Sequence, residues 1–289
     1  RNSEAEVKAV LDGRADWMQN PPPSSRFVSL QREFLGKQLR LDTVPSTYYF
    51  WMNTRKPPFD DLRVRRAANY AVNPGALRRI YGGNLAPTHQ VLPPQMPGYK
   101  RFNLYPANLA KARGLIHAAD PADRSVTVWT DTESPNREAG EYFADRLRKI
   151  GLKVRLKVLS ADNYFTVIGS RRTKNLDAGW SNWFADYANP DDFFRPLLLG
   201  SSILPSNNGN FARIAVPRLD RAVERLRRQP PGSGTEEAYA RLDRAYMKLA
   251  PWVPYGTRVL STFVSKRVDL GSVVFNPMFG ADIASFRFG

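Results

Sequence analysis

The densest chemistry in this 289-residue chain lies in GWSNWFADYANPDDFF, residues 179–194. Three aromatic residues, Trp180, Trp183 and Tyr187, fall within a few positions of one carboxylate, Asp186. An ionised Asp among aromatic walls is costly unless something pairs with it. A ligand ammonium group pairs with it through charge-assisted hydrogen bonds. The competing reading is internal: Asp186 pairs with a nearby Arg, and the Trp residues are core. Residue chemistry alone leaves both readings open. A second aromatic stretch, YYFWMNTRKPPFDDLRVRRAANYAV at 48–72, poses a similar choice between an ordinary strand-turn-helix and one wall of a binding site.

Other chemistry is scarce. There is no Cys, so disulfides, thiolate chemistry and zinc-thiolate sites are excluded. The two histidines, His89 and His117, are far apart, and no HExxH occurs, so no metal site or cofactor is expected. Neither a nucleophile elbow nor a phosphate loop is written in the chain. The carboxylate pairs Asp60/Asp61 and Asp191/Asp192 sit at expected helix starts, where capping explains them better than acid–base work. Elimination therefore favours a binder over an enzyme. A hydrolase would need two carboxyl groups facing one cleft, roughly 5 to 10 Å apart, and no spacing demands that.

The net charge is +16, from 43 basic and 27 acidic residues, which admits nucleic acid, an anionic surface or an acidic partner. The basic residues are spread over segments such as 63–66, 78–79, 146–149 and 221–228 and form no single stripe. A basic nucleic-acid- or surface-binding module is therefore the alternative function, and the leading reading has no nucleic-acid partner.

Periodicity supplies the elements that must hold these residues. Residues 4–12 read as a helix with Val7, Val10 and Leu11 on one face, stopped by Gly13. NPPPSS at 20–25 is expected to be loop. Residues 48–53 read as a strand, broken by Pro57 and Pro58. Asp60 or Asp61 then caps a helix with Val64, Ala67, Ala68, Ala71 and Val72 on its apolar face. Asn73 caps another helix, with Pro74 at its first position. Loop is expected over 82–105 and a helix from Pro106. The run 125–158 reads as strand, helix 136–150 and strand, a unit that favours parallel pairing. A helix near 162–168 and a strand at 175–180 follow. Residues 179–194 then become a connection at a strand's carboxyl end, where open α/β sheets bind ligands. Two amphipathic helices near 217–228 and 234–249 precede a strand in YGTRVLSTFVS. No apolar run is long enough to span a bilayer, and the first ten residues do not read as a signal peptide. The chain begins at Arg1, and it reads as a piece of something longer.

Several segments, in order, resemble the family 5 extracellular solute-binding proteins, the peptide- and nickel-type binding subunits of ABC importers. YYFWMNTRKPPFDDLRVRRAANYAVN is similar to that family's aromatic-x-N-T-x-x-x-P-F-D-D-x-R-V-R-x-A-x-x-Y-A segment. WFADYANPDDFF resembles its W-x-A-D-Y-x-x-P segment. AVLDGRADW at 9–17, PANLAKARGLIHAA at 106–119, SNNGNF, the helix with Leu219-Asp220, and APWVPYGTRV also match in order.

The resemblance implies an α/β fold of the periplasmic-binding-protein type (type II, large peptide-binding class). This chain would supply the second lobe, with a mixed sheet and flanking helices, plus segments of the first lobe. Residues 1–45 would end the first lobe, 46–253 would form the second ligand-binding lobe, and 254–289 would return to the first. The implied function is capture of a peptide or other amine-bearing solute between two lobes, as a monomer, for delivery to an ABC permease. The setting would be periplasmic or cell-surface, with membrane attachment only through an upstream anchor. Carried over residue by residue, Asp186 would hold a peptide amino group beside Trp183. Arg171, or nearly equally Arg172, would meet the peptide carboxylate. Trp180 and, on the aromatic strand leaving the hinge, Tyr49 complete the expected ligand-binding set.

Overall fold

In the computed structural model, which describes residues 3–289, the chain opens with helix α1 (Ser3–Leu11), strand β1 (Trp17–Met18), helix α2 (Ser24–Phe34) and strand β2 (Leu39–Thr43). The aromatic run forms β3 (Ser46–Met52), followed by α3 (Leu62–Ala71), α4 (Pro74–Ile80) and the short β4 (Leu85–Ala86). The middle alternates through α5 (Leu109–Ala119), β5 (Ser125–Asp131), α6 (Asn136–Lys149), β6 (Lys153–Leu159), α7 (Ala161–Ile168) and β7 (Ala178–Phe184). After α8 (Asp191–Leu198), α9 (Pro217–Leu226) and α10 (Ser233–Leu249) come the long β8 (Trp252–Val264) and a hairpin of β9 (Val274–Asn276) and β10 (Gly280–Asp282).

The fold is α/β with a mixed sheet in the order β1-β8-β3-β7-β5-β6, and β2 and β4 also pair with β8. As the strand-helix-strand pattern predicts, β5 and β6 pair in parallel. β7 is parallel to β5 and antiparallel to β3. Central position explains the aromatic content of β3. It lies between β7 and β8, and all seven of its residues are buried. Phe50 stacks on Phe143 of α6 at 4.1 Å, and Tyr49 stacks on Trp252 at 3.7 Å. Opposite Tyr48 and Tyr49 the register of β8 slips by one residue. That bulge accommodates Pro254 inside the strand, since Pro cannot donate to a ladder. Gly179 on β7 is needed for close packing: a Cβ there would lie 2.7 Å from both the Trp129 carbonyl and the Trp51 ring.

The turn after β3 behaves as scaffold. Asp61 caps α3 by accepting from the Arg63 amide, and Val64, Ala67, Ala68 and Ala71 are buried. Arg65 is buried too, donating to the carbonyls of Phe59, Asp60 and Leu249. Asn73 caps α4 as expected.

Some boundaries move. The loop expected over 20–25 ends sooner, because α2 begins at Ser24. The helix expected from Pro106 starts at Leu109, where Asn108 accepts from the Lys111 amide. The strand expected at 175–180 runs instead from Ala178 to Phe184, because β3 offers it a partner at every position from Met52 back to Ser46. Pairing across a sheet overrides the weak strand preference of Ser181 and Asn182.

β8 crosses between separate apolar clusters. Its first residues pack in the large core around β3, whereas Phe263 packs with Val7, Val10, Met18, Leu30 and Leu39, and Val264 with Val268 and Val273. Among the described residues no helix is long and apolar enough to cross a membrane.

Candidate functional site

With β7 extended to Phe184, the connection to α8 shrinks to 185–190, and its far end opens on a groove. Trp183, Asp186, Tyr187, Asp192, Arg195 and Leu204 are among its lining residues, and its volume is about 470 Å³. The Ala185 amide donates to the Pro45 carbonyl at 2.8 Å, tying the connection to the point where β2 passes into β3. Phe184 and Tyr187, 43% and 44% exposed, add open aromatic surface on either side of Asp186. Phe184 is held edge-on against Tyr48.

Asp192 organises this connection. Its Oδ2 accepts from the Trp183 indole Nε1 at 3.2 Å and from the Asp186 backbone amide at 2.8 Å. The capping role expected for Asp191 and Asp192 is therefore corrected: the residue before α8 is Pro190, and the Asp191 amide donates to the Asn189 side-chain oxygen at 3.1 Å. Asp192 bonds backwards, to the preceding strand and turn. Burial pushes its carboxyl above the ordinary range, while the Asp186 amide and the Trp183 indole pull it down. Burial likewise raises Asp191. The Tyr187 phenol is pushed up to about 12 by burial and by the neighbouring negative charges of Asp191 and Asp192.

This arrangement carries a prediction. Asp192→Ala leaves two donors without an acceptor and is expected to cost about 1–3 kcal/mol of stability. Asp192→Asn keeps one carbonyl oxygen for both donors and should lose less. Denaturant melts of the two variants check this ordering.

Of the predicted site residues, Asp186 and Trp183 share the groove. Asp186 is exposed and forms no ion pair among the described residues, so it is not locked to an arginine. Equally, it does not sit in a closed aromatic crevice within this chain. Trp180 and Tyr49 are corrected to core positions. Trp180 is 3% exposed and stacks on Tyr164. Tyr49 is 1% exposed beneath Trp252, and burial pushes its phenol well up. Central strands covered on both faces leave neither ring a route to a groove.

Arg171 is exposed and lies in the loop before β7, whereas Asp186 follows β7. The seven-residue strand between them in sequence is itself roughly 20 Å long. The two line no common cavity, and Arg171 opens instead on a different one, with Arg213. Arg172, also exposed, is in the same loop. The basic residue that does share the Asp186 groove is Arg195, on α8. Sequence reading overlooked Arg195, Phe184 and the role of Asp192. The signal available was the DDFFR stretch after the Pro, with its charged side chains one helical turn apart. Among the described residues no group of three His, Asp or Glu side chains is placed to hold a metal ion.

The model of the bacterial extracellular solute-binding proteins, family 5, matches residues 1–204. The glutathione-binding protein GsiB of Salmonella paratyphi A is 26% identical over 240 residues, which cover 81% of this chain and 47% of GsiB. Heme-binding protein A of Haemophilus influenzae is 31% identical over 235 residues, covering 76% and 41%. The solved structure of HbpA2 from Haemophilus parasuis superposes with a TM-score of 0.87 at 20% identity, over 100% of this chain and 56% of that one. The chain thus spans about half the length of the curated relatives it matches.

Proposed function

Because this chain belongs to the bacterial extracellular solute-binding proteins of family 5, we propose that it captures a peptide or other amine-bearing solute and delivers it to the permease of an ABC importer. As a member of that family it is a transport binding protein and not an enzyme. Asp186 carries the ligand reading: an exposed carboxylate that forms no ion pair among the described residues, between Trp183 and Tyr187, in a groove of about 470 Å³. A ligand ammonium group would supply the missing charge. Arg195 in the same groove offers a bidentate partner for a ligand carboxylate, whereas Arg171 does not line that groove. Together they match a zwitterion.

In this reading residues 46–253 form the second ligand-binding lobe, and residues 1–45 and 254–289 belong with the first. The separate apolar clusters around Val7 and Val264 support that division. Closure of the lobes would bury the groove and shift the protein towards its closed state. The protein would act as a monomer outside the cytoplasm. Membership of this family counts against the alternative of a basic nucleic-acid-binding module.

Titration of the intact protein with glutathione, free-amine di- and tripeptides, their N-acetylated forms and haem tests the reading. Free-amine peptides are expected to bind at least about tenfold more tightly than acetylated ones. Equal binding of both forms, or binding of haem alone, would refute it.

A further inference from the structure

The cavity on which Arg171 opens lies at the other end of β7, where β3 ends. Four basic side chains, Arg55, Lys56, Arg171 and Arg213, line its volume of about 430 Å³. Lys56 has a carboxylate neighbour, Asp177, at 3.8 Å. The guanidinium groups of Arg55, Arg171 and Arg213 have neither an acidic partner nor a hydrogen bond among the described residues. Arginine stays protonated in proteins, so converging guanidiniums cannot relieve their repulsion by losing a proton.

The backbone holds them in that arrangement. Thr54 donates to the Ala212 carbonyl through both its amide, at 2.9 Å, and its hydroxyl, at 3.1 Å, which ties the Arg55 turn to the Arg213 loop. The buried Asn210 donates to the carbonyls of Leu199 and Ile214 and accepts from the Ile214 amide. Between these anchors Arg213 adopts φ 50°, a left-handed conformation that costs a non-glycine residue energy. The Arg171 amide is fixed on the Pro205 carbonyl at 2.8 Å. Burial first, then the charges of Arg55 and Arg171, hold Arg213 below its ordinary value, the signature of a cation without a counter-charge.

We propose that this cavity is an anion site for a phosphate group, gripped by the guanidinium forks of Arg55, Arg171 and Arg213. Planar guanidinium groups match phosphate oxygens in bidentate fashion, and a doubly charged group offsets more of the repulsion than chloride does. Leu176 and Ile203 on the same wall accommodate a small apolar body attached to that phosphate. A free phosphate compound and a phospholipid headgroup present the same phosphate oxygens, the headgroup diester with a single charge. The site does not depend on the solute-binding reading, because none of its lining residues lines the Asp186 groove.

Calorimetric titration of the intact protein with inorganic phosphate and pyrophosphate, at constant ionic strength in chloride, tests the site. Co-sedimentation with phosphatidylglycerol vesicles, against phosphatidylcholine vesicles, tests the headgroup source. Saturable binding of a soluble phosphate, or selective sedimentation with the anionic vesicles, is expected. Either should weaken about tenfold or more in Arg213→Gln and again in Arg171→Gln, since each removes a charge-assisted contact. Arg171 is exposed, so its variant should fold if Arg213→Gln does not. Asp186→Asn should bind phosphate as the wild type does. Absence of saturable binding to any of these probes, or equal binding by the wild type and both arginine variants, would overturn the proposal.

Discussion

Asp186→Asn should weaken binding of a free-amine peptide by about 10- to 100-fold, the worth of one charge-assisted hydrogen-bonded contact. The melting temperature should stay close to that of the wild type. The reason for the contrast is structural. The Asp186 side chain is exposed and supports nothing within the chain, whereas its backbone amide is pinned by Asp192. Removing the charge therefore leaves the scaffold intact and subtracts only the pairing with ligand. Calorimetry on the intact protein, with a peptide and its N-acetylated form, separates the effects. The acetylated peptide should bind the wild type and the variant alike. If Asp186→Asn held the free-amine peptide as tightly as the wild type, the grip would belong to some other group, with Trp183 and Tyr187 the nearest candidates.

The second large effect concerns stability, at a carboxylate that no ligand touches. Asp243, on α10, is wholly buried and accepts from the Val91 amide at 2.9 Å, the Leu92 amide at 3.2 Å and the Gln90 side chain at 2.9 Å. It pins the loop ahead of α5 against α10. Asp243→Asn replaces one acceptor oxygen with an NH₂ group facing donors. The loss should be about 3 kcal/mol. For a chain of this size that is a fall of roughly 5–10 °C in melting temperature. Burial pushes the Asp243 carboxyl up to about 7, although its three donors and Arg244 pull the other way. The folded state therefore keeps a proton over a range in which the unfolded chain has lost it. Stability from this group is fullest below the ordinary carboxylate range, declines as pH rises towards about 7, and stays low above. The difference in stability between wild type and Asp243→Asn, followed by melts across pH 4–8, should show that slope. A pH-independent difference between them would mean that Asp243 titrates normally.

Much of the fold was legible because it rests on local rules. Asp61 and Asn73 cap helices at the positions their residue types indicate, and the alternation across 125–158 becomes a parallel strand pair. The motif order pointed to the family before any coordinate. The site was legible in part. Asp186 and Trp183 share a groove, but Trp180, three residues before Trp183, is core, and Tyr49 is stacked beneath Trp252. Aromatic content marks a residue as costly to expose and does not say whether protein or ligand covers it.

Residue types and their order determined by themselves the α/β class, most helix starts, the family and the one carboxylate worth testing. These follow from capping, periodicity and short motifs, all of which act within a few residues along the chain. Tertiary pairing alone decided where β7 ends, because β3 supplies its partners from across the sheet. It also decided that Asp192 would brace the Asp186 connection and that Arg171 would join Arg55 and Arg213 in a cavity that Asp186 does not line. Those outcomes depend on which segments meet in space, and side chains distant in sequence carry no local mark of their future neighbours.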